Sequence, residues 1–124
     1  MKYILLMSGT KAGVEGYHAW PKQDIEAHMA VLHRINQDLT DSGEFVATQG
    51  LAEPKEAKVV RGEKNGLPVT DGIFPESKEF LLGYWIVEVP NAERAYAIAG
   101  RISAASVNMP IEVRQFATHE AKSR

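Results

Sequence analysis

Chemistry in this chain must come from a short set of side chains. The 124 residues contain four histidines and no cysteine. The missing cysteines exclude disulfides, thiolate nucleophiles and every cysteine-ligated zinc or iron–sulfur site. His28 and His33 are five residues apart. On a helix that spacing places them on different faces, so they make a poor chelating pair. No His-Glu-x-x-His pattern is present. A protein-only metal site would need ligands from dispersed loops, so neither a metal nor a cofactor is expected. His18 falls in a loop and His119 in the tail, where solvation is the expectation.

His28 differs because it lies on an apolar helical stripe. A buried imidazole needs partners for its two nitrogens. One reading is a core histidine bonded to a backbone carbonyl, and periodicity alone favours it. The other is a general acid/base in a pocket, since histidine titrates near neutrality.

Two further segments invite a chemical reading. Gly9-Thr-Lys-Ala-Gly13-Val-Glu-Gly16 follows a strand and precedes a helix. It matches neither the dinucleotide fingerprint nor the phosphate-loop pattern. It reads as a mobile loop, with a lid as its functional version. Ser8 lacks a nucleophile-elbow context. The segment Val69-Thr-Asp71-Gly72-Ile-Phe74-Pro-Glu76-Ser-Lys78-Glu79-Phe80 is the most distinctive. Its plain reading is a charged loop with an Asx-turn. Its functional reading sets the Asp71 carboxylate at a sheet end, facing a pocket.

These residues must be positioned by regular elements. Residues 2–8 form a short apolar run that reads as a strand buried on both faces. Pro21 and Lys22 open a helix over about 22–42, with Ile25, His28, Met29, Leu32, Ile35 and Leu39 as its stripe and Gly43 as its C-terminal cap. Residues 44–49 and 57–63 read as strands, and 50–55 as a loop. Asn65-Gly66 predicts a type I′ hairpin returning over 67–70. Residues 71–78 are irregular. Residues 80–89 are the best strand, and Asn91 caps a helix over 92–102 with Ala92, Ala95, Tyr96, Ala99 and Ile102 as its stripe. Residues 111–116 alternate as a last strand, and 118–124 read as a flexible tail. One domain over 1–124 is expected.

That order predicts a ferredoxin-like α+β sandwich, an antiparallel sheet with both helices on one face. Residues 3–7 and 80–89 are apolar on both faces, so the second face needs a cover. A second copy of the same sheet is the simplest one, which predicts a homodimer with sheets packed face to face; a long loop or an extra element is the alternative cover.

Composition restricts the partners. The formal charge is −2, from 14 basic and 16 acidic side chains. That balance argues against nucleic-acid binding driven by phosphate neutralisation. The longest N-terminal apolar run, Tyr3–Met7, is far below the ~20 residues of a membrane span. It also falls below the ~7–15 residues of a signal-peptide apolar region. A cytoplasmic location is the default expectation.

The stretch from Val69 to Val89 resembles the signature of the YCII-related family, specifically its DGPF branch. Members carry Asp-Gly-Pro-Phe-x-Glu-x-Lys-Glu followed by a Gly-aromatic strand. Ile73 replaces the usual proline, while Asp71, Gly72 and Phe74 remain. The likeness continues through 92–102 and 111–114, and covers the opening strand and the 57–70 hairpin. It implies a ferredoxin-like fold and a dimeric α+β barrel. It also implies a His–Asp pair, with His28 as acid/base and Asp71 orienting it. On that reading Arg61 or Arg114 would hold an anionic group of an unidentified small-molecule substrate. Arg114 has an alternative in a salt bridge with Glu112. Tyr84 and Trp85 point to opposite faces, so at most one lines a given pocket, and Tyr84 is taken as a substrate contact. Some relatives are encoded beside or fused to extracytoplasmic-function sigma factors, so a non-catalytic regulatory module with a sigma-factor partner is the rival. A haem- and flavin-free monooxygenase is fold analogy only.

Overall fold

The computed structural model describes residues 1–72 and 79–118, with backbone alone at positions 69, 71 and 72. The elements are β1 (Lys2–Gly9), α1 (Lys11–His18), α2 (Lys22–Asp41), β2 (Phe45–Gly50), a 3₁₀ turn (Pro54–Glu56), β3 (Lys58–Gly62), β4 (Pro68–Gly72), β5 (Phe80–Glu88), α3 (Ala92–Ala105) and β6 (Ile111–Gln115).

Four strands form one antiparallel sheet in the order β2-β5-β1-β6. This is the split βαβ arrangement, with the two most apolar strands at the centre. Register pairs Leu5 with Trp85 and with Val113, which puts all three on one face. Tyr3, Leu5, Met7, Trp85 and Val87 on that face are buried under α2 and α3. Ile35 and Leu39 come from α2, and Ala95, Ile98, Ala99 and Ile102 from α3. The small alanines let α3 sit close to the sheet. Ile98 joins the α3 stripe, while Tyr96, expected on it, is 56% exposed.

The opposite face carries Ile4, Leu6, Tyr84 and Ile86, all half-buried. Neither long helix covers it. The expected α+β barrel is overturned, because the sheet is open. β2 and β6 each pair on one side only, and four strands are too few to curl round and meet.

Three local expectations also change. Residues 11–18 form a helix rather than a loop. Thr10 caps it, its hydroxyl accepting from the Gly13 N–H at 3.0 Å. The β3–β4 hairpin does not turn through type I′, which needs two left-handed residues. Only Gly66 has positive φ there (83°), and Gly66 N–H donates to Glu63 O at 2.9 Å. This is a type I turn followed by a left-handed glycine. The hairpin forms a separate two-stranded sheet that pairs Val59 with Asp71. Finally, α3 continues to Ala105, three residues beyond the expected end. The centre of the distinctive loop, residues 73–78, and the tail from His119 lie outside the described residues. No helix among the described residues is long and apolar enough to cross a membrane.

Candidate functional site

The site begins with the α2 stripe. Positions 28, 29, 32, 33 and 36 recur at helical spacing and line one wall of a cavity of about 510 Å³. The inner ends of β2 and β5 form its floor, through Thr48, Gly83 and Trp85. Gly83 is required there, because a Cβ would sit 3.0 Å from Gln49 O of the adjacent strand. The end of α1, the segment 50–54 and the turn after α3 close the sides.

His28 is half-buried in this wall, and both ring nitrogens are engaged. Nδ1 lies 2.9 Å from the Tyr17 hydroxyl, and Nε2 lies 3.0 Å from Ser106 Oγ. The Tyr17 ring meets the imidazole edge-on at 5.3 Å, and Trp20 lies behind at 6.2 Å. Burial pushes the His28 pKa below its ordinary 6.5 and raises the Tyr17 hydroxyl above 10.0. At neutral pH the imidazole is therefore uncharged, with one N–H and one lone pair.

Each partner is held by its own local structure. Tyr17 occupies the last turn of α1, so the Thr10 cap positions it indirectly. Ser106 is 1% exposed and ends α3. The next two residues, Val107 and Asn108, have φ of 56° and 57°. Left-handed backbone costs a β-branched residue roughly 1–2 kcal/mol. Strain of this kind clusters at functional sites. Four bonds hold the turn: Ser106 N–H and Asn108 N–H donate to Ser103 O, Met109 N–H donates to Ser106 O, and Ser103 Oγ donates to Met109 O at 2.7 Å.

Proton counting on this chain gives a result independent of tautomer. Tyr17, neutral His28 and Ser106 bring one O–H or N–H proton each, and they form two bonds. One hydroxyl proton therefore remains, on Ser106 or on Tyr17. A second donor sits nearby. The Trp85 indole N–H donates to Asn36 Oδ1 at 2.8 Å.

No lysine or arginine lines the cavity among the described residues. Among the described residues its one lining carboxylate, Glu53, is 3.4 Å from His18 Nδ1 and pairs also with Lys55. His18 is therefore on the cavity wall rather than in a loop. Among the described residues no group of three or more His, Asp or Glu is arranged to hold a metal.

The remaining sequence candidates sit elsewhere. Tyr84 is on the sheet face opposite Trp85 and does not line the cavity. Arg114 lies on exposed β6, 3.5 Å from Glu112, and Arg61 on exposed β3. Asp71 falls on β4, where its carboxylate lies outside the described residues. Sequence reasoning missed Tyr17, Ser106 and Asn36. Only Asn36 left a signal, eight residues after His28, about two helical turns along α2.

Comparison with known proteins fits this picture. An uncharacterized protein of Rhizobium meliloti (strain 1021) is 27% identical over 103 residues, covering 82% of this chain and 83% of its own length. The YCII-related domain matches residues 1–117. That match covers nearly the whole chain, sheet and cavity included, and the chain belongs to the YCII-related domain family.

Proposed function

We propose that this protein is an acid–base enzyme acting on a small molecule in the α2 cavity, with His28 as its proton-transfer group. One observation carries the reading: an imidazole kept neutral by burial, bonded on both sides to hydroxyls, in the wall of a cavity of about 510 Å³. Both ring nitrogens bond side-chain hydroxyls, groups that can pass a proton between the imidazole and a bound molecule.

Ser106 and Tyr17 hold the ring on either side. Tyr17 fills the orienting position on Nδ1. Asp71 enters the proposal on the sequence resemblance alone, as the carboxylate partner which that resemblance implies for the imidazole. Placement in the DGPF branch rests on the same 71–80 segment.

The test is solvent exchange. Uncharged enolisable ketones and esters are incubated with the protein in D₂O, and loss of their α-protons is followed by NMR. Wild type should accelerate exchange for at least one compound, and His28→Ala should lose about 10²–10⁴-fold of that rate. Equal rates for the two proteins would remove His28 from the chemistry.

The uncovered sheet face supports a second element of the proposal. Ile4, Leu6, Tyr84 and Ile86 form an apolar centre that a second copy of the chain would cover.

A further inference from the structure

We infer that Asn36 is the residue that orients the ligand in this cavity, and that the ligand is an uncharged, largely apolar molecule carrying a carbonyl-type acceptor. The inference rests on the acid–base reading only in placing the ligand in the same cavity.

The orientation of the Asn36 side chain follows from its partner. An indole N–H can only donate, so the amide oxygen must face Trp85, where the separation is 2.8 Å. The amide NH₂ is thereby turned away from Trp85. It has no partner among the described residues. Asn36 is half-buried and lines the cavity, so this donor is presented to whatever occupies the space. Among the described residues no buried polar side-chain atom lacks a partner, so this NH₂ meets solvent, and a ligand that displaces that solvent must supply an acceptor in its place.

Of the other polar groups on the floor and rim, Thr48 Oγ1 donates to Tyr84 O at 2.9 Å and Gln49 Nε2 donates to Gly50 O, while His33 lies exposed at the rim. Beside His28, what is left to a ligand is the Asn36 NH₂ and the one hydroxyl proton left over from the Tyr17–His28–Ser106 chain. Both are donors, so a ligand seated there must supply acceptors. Its charge follows from the wall. Neutral His28 and the absence of Lys and Arg among the described lining residues give a carboxylate or phosphate no counter-charge. Among the described lining residues the one carboxylate, Glu53, already faces His18 and Lys55 at 3.4 Å each, which weakens its pull on an ammonium. Met7, Met29, Leu32, Leu82, Trp85 and Met109 supply apolar wall for the rest of the molecule.

Acetophenone, benzoate and benzylamine are the probes: one aromatic body with a neutral carbonyl, an anion and a cation. Each is titrated at pH 7.5 into the ¹⁵N-labelled full chain, following the Asn36 side-chain amide and the Trp85 indole N–H. Acetophenone should give saturable shifts at both, with benzoate and benzylamine at least about tenfold weaker. Asn36→Asp keeps an acceptor for Trp85 and loses the donor, so it should bind acetophenone about tenfold more weakly, with the indole resonance in place. A charged probe binding as tightly as acetophenone, no saturable shift with acetophenone, or Asn36→Asp binding within twofold of wild type would each overturn the inference. The three-probe comparison needs no variant. Acetophenone also carries exchangeable methyl protons, which separates the two readings. Asn36-dependent binding without His28-dependent exchange sinks the acid–base reading alone. His28-dependent exchange with unchanged Asn36→Asp binding sinks this one alone.

Discussion

Replacing Ser106 with alanine tests whether the hydroxyl–imidazole chain is built into the fold. Ser106 is 1% exposed, and its Oγ lies 3.0 Å from His28 Nε2. An alanine methyl fits the same space, so no large cavity forms. The loss is one hydrogen bond, worth about 1 kcal/mol net, plus a penalty of about 1–3 kcal/mol if the stranded nitrogen cannot reach water. His28 is only half-buried, so water reaches it in part and the sum falls near 1.5 kcal/mol. Unfolding entropy of about 2.1 cal/mol/K per residue over 124 residues gives about 0.26 kcal/mol/K. Ser106→Ala should therefore melt about 6 °C below wild type at pH 7.5, by circular dichroism or fluorescence. A change under about 1 °C would refute the chain as a structural feature.

Other perturbations probe separate parts of the account. Val107→Gly should raise the melting temperature by about 2–4 °C, since relief of left-handed strain at an exposed side chain exceeds the entropic cost of glycine. Glu44 accepts a two-pronged bond from Arg94 at 2.7 and 2.8 Å, and that bond holds its carboxyl below the ordinary 4.5. Its stabilisation, about 1 kcal/mol, is present above pH 4.5 and lost as pH falls through the lowered folded value. The stability gap between wild type and Glu44→Gln should therefore close on acidification, read from urea midpoints at pH 7 and pH 3. Light scattering at micromolar concentration should give twice the chain mass, and Leu6→Asp should shift it to one. A monomeric wild type would discard the second-copy proposal.

Much of the fold was legible because it follows from alternation. The buried runs in β1 and β5 announced the central strands, and Asn91 announced α3, where it accepts from Arg94 N–H at 2.9 Å. The α2 stripe also carried His28. What sequence hid was tertiary. Residues 11–18 contain two glycines and no buried residue, so neither propensity nor periodicity marks a helix there. Its support includes a capping threonine and the contact of Tyr17 with His28. Ser106 is 78 residues from His28, and Trp85 is 49 from Asn36. Pairs that distant leave no local pattern. The hairpin turn was misread because Asn-Gly is compatible with two turn geometries, and only the φ of Asn65 decides between them. The barrel failed for a different reason. An apolar second face shows that a cover is needed, and says nothing about whether the sheet closes.

Burial keeps His28 neutral, so its charge state is the quantity to measure. Its folded value is lowered relative to the ordinary 6.5, so the unfolded chain binds the proton more readily. The contribution of His28 to stability is then constant above pH 6.5 and falls as pH drops from 6.5 through the folded value. An NMR titration of the His28 ring ¹⁵N and ¹³C resonances reads this directly. The account predicts a midpoint below 6.5, moving upward toward 6.5 if Tyr17→Phe opens the ring to water. A midpoint at or above 6.5 in the wild-type protein would contradict it.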